Sequence, residues 1–341
     1  MTKDGRQARA DIADETVSII AAGWYAHGGR KEDVVHIAEP IRRSVASTAV
    51  INAEQSVHAH DGCGTARKPC RIRVGEFTTL AAARELVTAG HDVVVLNFAS
   101  AKRPGGGFTR GANAQEENLA RNTTLYAALS RGGEEFYAAH RRQKDPLYSD
   151  AVIYSPRVSV IREEQSSALL AEPWETSIIT AAAPNAGVAR AAGVDESTID
   201  QVYLRRAARV LEVAKAYGHD AVVLGAWGCG VFQNSPWGAA RAFASLLTEQ
   251  GRYAHAFQEV VFAIIGPVEN RAPFEECFIG TEFTGAGSGA SYRPASNSAE
   301  EQRQGAADVV VMQPGASGLS AKPADAILRD NSGDPLVTLQ R

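Results

Sequence analysis

Three short apolar runs constrain this chain more than anything else in it: HDVVVLNFAS (91–100), DAVVLGAW (220–227) and EVVFAIIGP (259–267). Each is nearly continuous rather than alternating, which suits a strand covered on both faces by helices. Helical stretches separate them. TLAAARELVTAG ends at Gly90, Gln115 to Leu129 has helical spacing, Ser197 to Tyr217 reads as a long amphipathic helix, and another runs from Pro236 to about Glu249. CRIRVGEF (70–77) alternates like a strand, DAVIYSPRVSVIR (150–162) and SIITAAAP (177–184) read as two more, and PFEECF (273–278) is a short last helix. Alternating strands and helices argue for an α/β fold of three layers.

The two ends differ from this middle. Residues 6 to 26 predict a helix through Ile12, Val17, Ile20 and Trp24, stopped by Gly28 and Gly29. Residues 40 to 57 fit a helix or a strand. Beyond Phe283 the chain turns Gly/Ser/Ala-rich and polar, with DVVVMQP as an apolar island, too little for a core. The expected division is an N-terminal helical accessory region, 1–69, packed on a catalytic domain, 70–283, followed by a disordered tail, 284–341. No internal repeat is visible. No apolar run reaches the roughly 18 residues of a membrane span, and the first residues lack the apolar core of a signal peptide; we expect a cytoplasmic protein.

Two glycine-rich loops each follow a buried strand: RPGGGF (103–108) and GAWGCGVF (225–232). In open α/β sheets ligands bind beyond the carboxyl ends of strands, so two such loops can face one crevice. Neither is a P-loop, and Gly228-Cys229-Gly230 fails as a dinucleotide fingerprint because position 233 is Gln. A tight strand-to-helix turn is the plain alternative for either loop alone. Glycines also let backbone N–H groups converge on an anion. The formal net charge of −4 gives no bulk attraction for nucleic acid, so a phosphate-bearing ligand must be held locally, by backbone amides and helix ends.

Downstream of the glycine triplet stands Gln115-Glu116-Glu117, at the start of the predicted helix. Acidic residues in a first helical turn commonly serve the helix dipole. Here the triplet and the flexible joint FTRGANA precede them. Adjacent helical residues point about 100° apart, so the two carboxylates divide their work. One would hold sugar hydroxyls. The other would protonate a leaving oxygen, as a glutamate walled off from water does when its pKa rises.

GGG ending eight positions before QEE resembles the signature of poly(ADP-ribose) glycohydrolases, in particular their bacterial-type branch. GAWGCGVF resembles that family's diphosphate-binding loop, and LNFAS its strand-end segment, related to the VNAAN of macrodomains. The resemblance spans about residues 5 to 283 and implies a macrodomain-like α-β-α fold with a mixed central sheet. It implies hydrolysis of ribose–ribose O-glycosidic bonds in poly(ADP-ribose), releasing ADP-ribose from chain ends. Glu117 would be the acid/base, with Glu116 and Gln115 positioning ribose hydroxyls and the leaving chain. Gly105, Gly106 and Gly107 would let backbone approach the distal ribose and diphosphate. Gly228, Cys229, Gly230 and Val231 would bind the diphosphate, Phe232 the distal ribose. Asn97 matches a ribose-contacting position. Ser100 stands where Asn is usual. Arg73 to Thr78 resembles the macrodomain GDIT stretch, which makes Glu76 a candidate for adenine. No cofactor or metal is implied. The expected partner is poly(ADP-ribose) or ADP-ribosylated protein, with no membrane or sequence-specific nucleic-acid binding, and a monomer. Alternatives are a non-cleaving ADP-ribose reader, which needs no second Glu, and a hydrolase of mono-ADP-ribosyl bonds.

Other constellations are weaker. His58-Ala-His60-Asp61-Gly-Cys63 holds metal-ligand residue types without a standard zinc spacing and reads as a polar loop. The four cysteines include no CxxC, so reduced thiols are expected, and Cys229 is a poor nucleophile candidate, set between glycines for its small size. Arg103, Arg110 and Arg121 flank the site and could meet phosphates or simply face solvent. Residues 140–144 (HRRQK) form a basic run, Trp227 is expected in the core, and Pro184-Asn185 is placed along the crevice.

Overall fold

The computed structural model describes residues 3–29, 32–57, 70–248 and 250–279, together with two paired strands near the C-terminus. The His58–Cys63 segment, read as a polar loop, lies outside the described residues.

In chain order, the first half contains α1 (Lys3–Ala22), β1 (Trp24–Ala26), β2 (Val34–His36), α2 (Ala38–Ser47), β3 (Ala49–Ile51), β4 (Arg71–Gly75), α3 (Thr79–Thr88) and β5 (Val93–Phe98). Then come α4 (Gln115–Asn122), α5 (Leu125–Gly132), α6 (Glu134–Arg142), β6 (Val152–Arg162) and β7 (Leu169–Ala181). The remainder is α7 (Ala186–Ala191), α8 (Glu196–Ala216), β8 (Ala221–Leu224), α9 (Pro236–Leu247), β9 (Glu259–Ala263), α10 (Val268–Cys277), β10 (Ala326–Arg329) and β11 (Pro335–Leu339).

Seven strands form one mixed sheet, ordered β3-β6-β7-β5-β8-β9-β4. β5 lies near its middle, parallel to β7 on one side and β8 on the other. The apolar runs are buried on both faces, as their lack of alternation requires. Val94 and Leu96 join a core that includes Tyr203, Val210, Phe243 and Phe274, from α8, α9 and α10. Val93 and Val95 join the opposite core, with Leu80, Leu86, Leu119, Leu129 and Phe136 from α3, α4, α5 and α6. The fold is therefore a three-layer α-β-α arrangement around a mixed sheet.

Several boundaries differ from the sequence expectation. The N-terminal helix ends at Ala22, because Gly23 takes φ +73° and a side chain there would strike Ala38 Cβ at 2.7 Å. Trp24 consequently begins a strand instead of continuing the helix. Residues 40–57 hold both alternatives, the end of α2 and then β3. β3 pairs antiparallel with β6, so the segment before residue 70 supplies a strand of the sheet as well as helices. The single helix expected from Gln115 to Leu129 is two. Thr123, extended at φ −135°, bridges Val160, and the Thr124 N–H donates to Ser159 O at 2.9 Å. β-Branched threonines with a strand to pair against leave the helix readily. Within 284–341, expected to lack structure, β10 and β11 pair antiparallel; the apolar residues of AILR and PLVTL on either side of DNSGD carry that signal. The rest of that segment, DVVVMQP included, lies outside the described residues.

Candidate active site

The carboxyl ends of β5 and β8 carry the two glycine loops to the same edge of the sheet, since the strands are parallel neighbours. Gly225, opening the second loop, packs so closely on Phe98 that an added Cβ would stand 2.9 Å from its ring.

Gln115 fastens α4 to this edge. Its Oε1 accepts from the Phe98 N–H at 2.9 Å, and its Nε2 donates to Leu96 O at 2.8 Å and to Thr79 Oγ1 at 3.1 Å. Both amide hydrogens are thus spent on the fold, and the residue fixes where the next two side chains emerge.

Glu116 and Glu117 are both buried, at 3% and 9% exposure. Glu116 Oε2 accepts from the Ser100 N–H at 2.6 Å, while Oε1 faces Asn97 Nδ2 at 3.4 Å. Burial, and then the neighbouring Glu117 carboxylate, hold the Glu116 carboxyl well above the usual carboxylate range, against the pull of the Ser100, Asn97 and Gly105 donors. Glu117 Oε1 accepts from the Gly107 N–H at 2.9 Å and Oε2 from the Ala114 N–H at 3.0 Å. The second bond is the ordinary service of an acidic residue at the third helical position. The first ties the carboxylate to the glycine triplet. A carboxylate has about four acceptor positions, so two remain for a reacting group.

The triplet's purpose is visible here. Gly105 and Gly106 take φ +67° and +61°, which disfavours any side chain. A Cβ on Gly106 would run into Glu117 Oε1 and stand 3.0 Å from Glu116 Oε2. The group that this backbone must approach within the chain is the carboxylate pair itself. α1 braces the loop from outside: Ala13 packs with Phe108 and Ala120, and Arg9 Nε donates to Gly111 O at 2.9 Å.

The second loop is built differently. Trp227 is wholly buried, with Nε1 donating to Ala181 O at 3.2 Å. Gly228 takes φ +73°, and a Cβ there would meet Ala183 Cβ at 2.5 Å. Asn234 Nδ2 clamps the turn through Gly228 O at 3.0 Å and Pro184 O at 2.8 Å. Among the described residues, the N–H groups of Gly228, Gly230, Val231 and Phe232 find no acceptor within the chain. A Cβ on Gly230 would meet nothing within 4 Å. A run of open N–H donors on a rigid turn is an anion site in form.

Other expected residues fall elsewhere. Asn97 is wholly buried and points at Glu116 and at Thr180 Oγ1, 3.2 Å away. Its Oδ1 accepts no hydrogen bond. Ser100 contributes its backbone N–H to Glu116 and its hydroxyl to the turn, 3.3 Å from the Arg103 N–H. Glu76 lies at the end of edge strand β4, paired with Arg271 at 3.0 Å. Arg103 and Arg110 are exposed. Arg121, assigned to phosphate or solvent from the sequence, is buried and donates to Ala112 O at 2.6 Å and Asn113 Oδ1 at 2.8 Å; burial pulls its pKa down to about 10. Desolvation pushes the half-buried Cys229 thiol up to about 12, which disfavours the thiolate a nucleophile needs. Tyr148, which no motif signalled, faces Phe232 with ring centroids 5.9 Å apart. Its only sequence sign was an aromatic residue beside the strand that pairs next to β7. Among the described residues, no group of three or more His, Cys, Asp or Glu could hold a metal, and no helix is long and apolar enough to cross a membrane.

Comparison with known proteins gives a consistent result. Residues 13–163 match the family described as microbial-type PARG, catalytic domain. A crystal structure of poly(ADP-ribose) glycohydrolase from Thermomonospora curvata is 44% identical, with a TM-score of 0.73, covering 80% of this chain and 100% of its own. Another from that organism, bound to the inhibitor ADP-HPD, is 45% identical, with a TM-score of 0.71 and coverage of 79% and 99%. A Deinococcus radiodurans poly(ADP-ribose) glycohydrolase in complex with ADP-ribose is 38% identical, with a TM-score of 0.64 and coverage of 70% and 97%. No curated protein sequence matches significantly.

Proposed function

The chain belongs to the microbial-type poly(ADP-ribose) glycohydrolases, and on that premise we propose that it hydrolyses ribose–ribose O-glycosidic bonds of poly(ADP-ribose) and releases ADP-ribose. One observation carries the reading to this chain's own residues. Two buried carboxylates, fixed by backbone N–H groups at the end of β5, share an edge with a glycine loop whose N–H donors are unengaged.

The diphosphate lies on the second loop, held by the N–H groups of Gly228, Gly230, Val231 and Phe232. Glu116, fixed by the Ser100 N–H, holds a ribose hydroxyl. Glu117, protonated in the substrate complex, gives that proton to the departing 2′ oxygen as the C1″–O2′ bond breaks. Positive charge develops at C1″ in an oxocarbenium-like transition state, and the nearby diphosphate offsets it. Water then attacks C1″, and Glu117 takes its proton. Side-by-side glutamates are not the usual pair that flanks a glycosidic bond; here one side chain carries the proton in both steps. Attack proceeds from chain ends, and the enzyme acts as a cytoplasmic monomer.

The test is release of ADP-ribose from purified poly(ADP-ribose), followed by chromatography, for wild type and Glu117→Gln. Monomer from the wild type alone supports both the activity and the acid. No monomer from either protein, with ADP-ribose still bound, would turn the reading to an ADP-ribose reader. Accumulation of long internal fragments would overturn attack from chain ends.

A further inference from the structure

Cations from two separate segments gather beside the glycine triplet. Arg141, Arg142 and Lys144, at the end of α6 and just beyond it, are exposed, and so are Lys102 and Arg103, in the segment that leads into the triplet. The two groups lie together. Arg141 Nη1 donates to Lys102 O at 3.3 Å. Burial lowers the pKa of the His140 imidazole on α6, and the Arg206 and Lys102 charges lower it further, against the pull of Phe136 O. The Lys102 ammonium is therefore within electrostatic reach of α6.

Both segments adjoin the carboxylate pair. Ser100 and Gly105, on either side of Lys102 and Arg103, direct their backbone N–H groups at Glu116. The Gly106 N–H donates to Arg103 O at 3.0 Å. α6 leans on the same carboxylate. Tyr137, wholly buried one turn before Arg141, has its hydroxyl held well above its ordinary pKa by burial, then by the Glu116 and Glu134 charges. The cations thus stand at the rim of the site.

Basic residues in a last helical turn commonly serve the helix dipole, and Arg141 also pairs with Glu134. Neither service accounts for Lys102 and Arg103, which belong to another segment. Elsewhere surface arginines find carboxylates, as Arg43 does in Glu175 and Arg271 in Glu76. Among the described residues, the side chains of Lys102, Arg103, Arg142 and Lys144 pair with no carboxylate. In a chain of net charge −4, such a cluster makes a local positive field that gathers anions.

We propose that Lys102, Arg103, Arg142 and Lys144 form a docking surface for phosphates of poly(ADP-ribose) outside the unit held at the second glycine loop. This rests on the glycohydrolase reading. The polymer repeats a diphosphate in every unit, so a chain with one unit in the site carries further diphosphates past its rim. Exposed Lys and Arg meet them as charges and read no base.

The test compares wild type with the double variant Arg142→Gln/Lys144→Gln, which changes two exposed side chains. KM for long poly(ADP-ribose) should rise about fivefold at low salt, the worth of two exposed ion pairs, while calorimetric affinity for ADP-ribose, which has no further diphosphate, stays within about twofold. The slope of log KM against log salt should fall by about 1.4, at about 0.7 for each cation removed. Wild type alone supplies a second measurement: its salt slope should be steeper for polymer than for ADP-ribose. An unchanged KM and slope in the double variant, an equal loss of ADP-ribose affinity, or equal wild-type slopes for the two ligands would overturn the assignment. Single-stranded DNA bound by the wild type and lost in the variant, with KM for polymer unchanged, would give the surface to nucleic acid instead. Failure of the wild type to release ADP-ribose would overturn the activity itself.

Discussion

Gly106 and Glu117 occupy one space: a methyl group on the glycine would lie where Glu117 Oε1 now sits. The glycine backbone, at φ +61°, closes over the carboxylates so tightly that the Gly107 N–H next to it can hold one of them.

Gly106→Ala should therefore damage the site twice. Left-handed backbone and displaced carboxylates together should cost on the order of 1–3 kcal/mol of stability, and turnover should fall by about 100-fold or more, as a shift near 1 Å can do. Gly230→Ala is the control. It has open space and ordinary φ, so its melting temperature should stay close to wild type. Thermal denaturation beside ADP-ribose release reads both.

Glu117→Gln should bind ADP-ribose but lose turnover by roughly 100-fold to 10,000-fold, the usual contribution of general acid–base catalysis. Calorimetry and single-turnover assays separate the two. Near-wild-type turnover would remove Glu117 from the acid role.

Glu116→Gln should change how stability depends on pH. The folded pKa of Glu116 is raised from 4.5 by burial, then by Glu117, so the folded state binds this proton more tightly than the unfolded one. Stability is thus fully present below about 4.5 and lost as pH rises toward the folded pKa. Glutamine has no proton to lose. The melting temperature of Glu116→Gln relative to wild type should climb between pH 4.5 and 8; a constant difference would show that the buried carboxyl does not titrate upward.

Cys229→Ala should retain activity within about threefold. With the thiol pushed up to about 12 by burial, little thiolate exists at neutral pH. Mass spectrometry after iodoacetamide treatment at pH 7.5 should find Cys229 largely unmodified; rapid alkylation would contradict the buried environment.

Gln115→Ala removes three hydrogen bonds that fasten α4 to β5 and α3. Leaving the Phe98 N–H without its partner should cost about 1–3 kcal/mol. Turnover should fall more than ADP-ribose affinity, because the residue sets the glutamates and not the second glycine loop; the ratio of kcat to Kd changes decides this.

The sequence by itself determined the class of fold and marked the segments from which the site is proposed. Continuous apolar runs such as VVVL and AVVL can only be buried on both faces, so a layered α/β sheet followed from them. Glycine loops after strands, and acids at a helix start, are local signals that one sequence can carry. Tertiary structure decided the use of each part. Gln115 and Asn97 were legible as polar residues near a sugar, yet their amides are spent on β5, α3, Thr180 and Glu116, partners up to 83 residues away. Arg121 read as a phosphate contact or a surface charge and is a buried brace. The break at Thr123 needed β6 beside it, and Tyr148 faces Phe232 although the two lie far apart in the chain. Hydrogen-bond satisfaction and burial depend on what the chain brings back from a distance, and spacing along one segment cannot encode that.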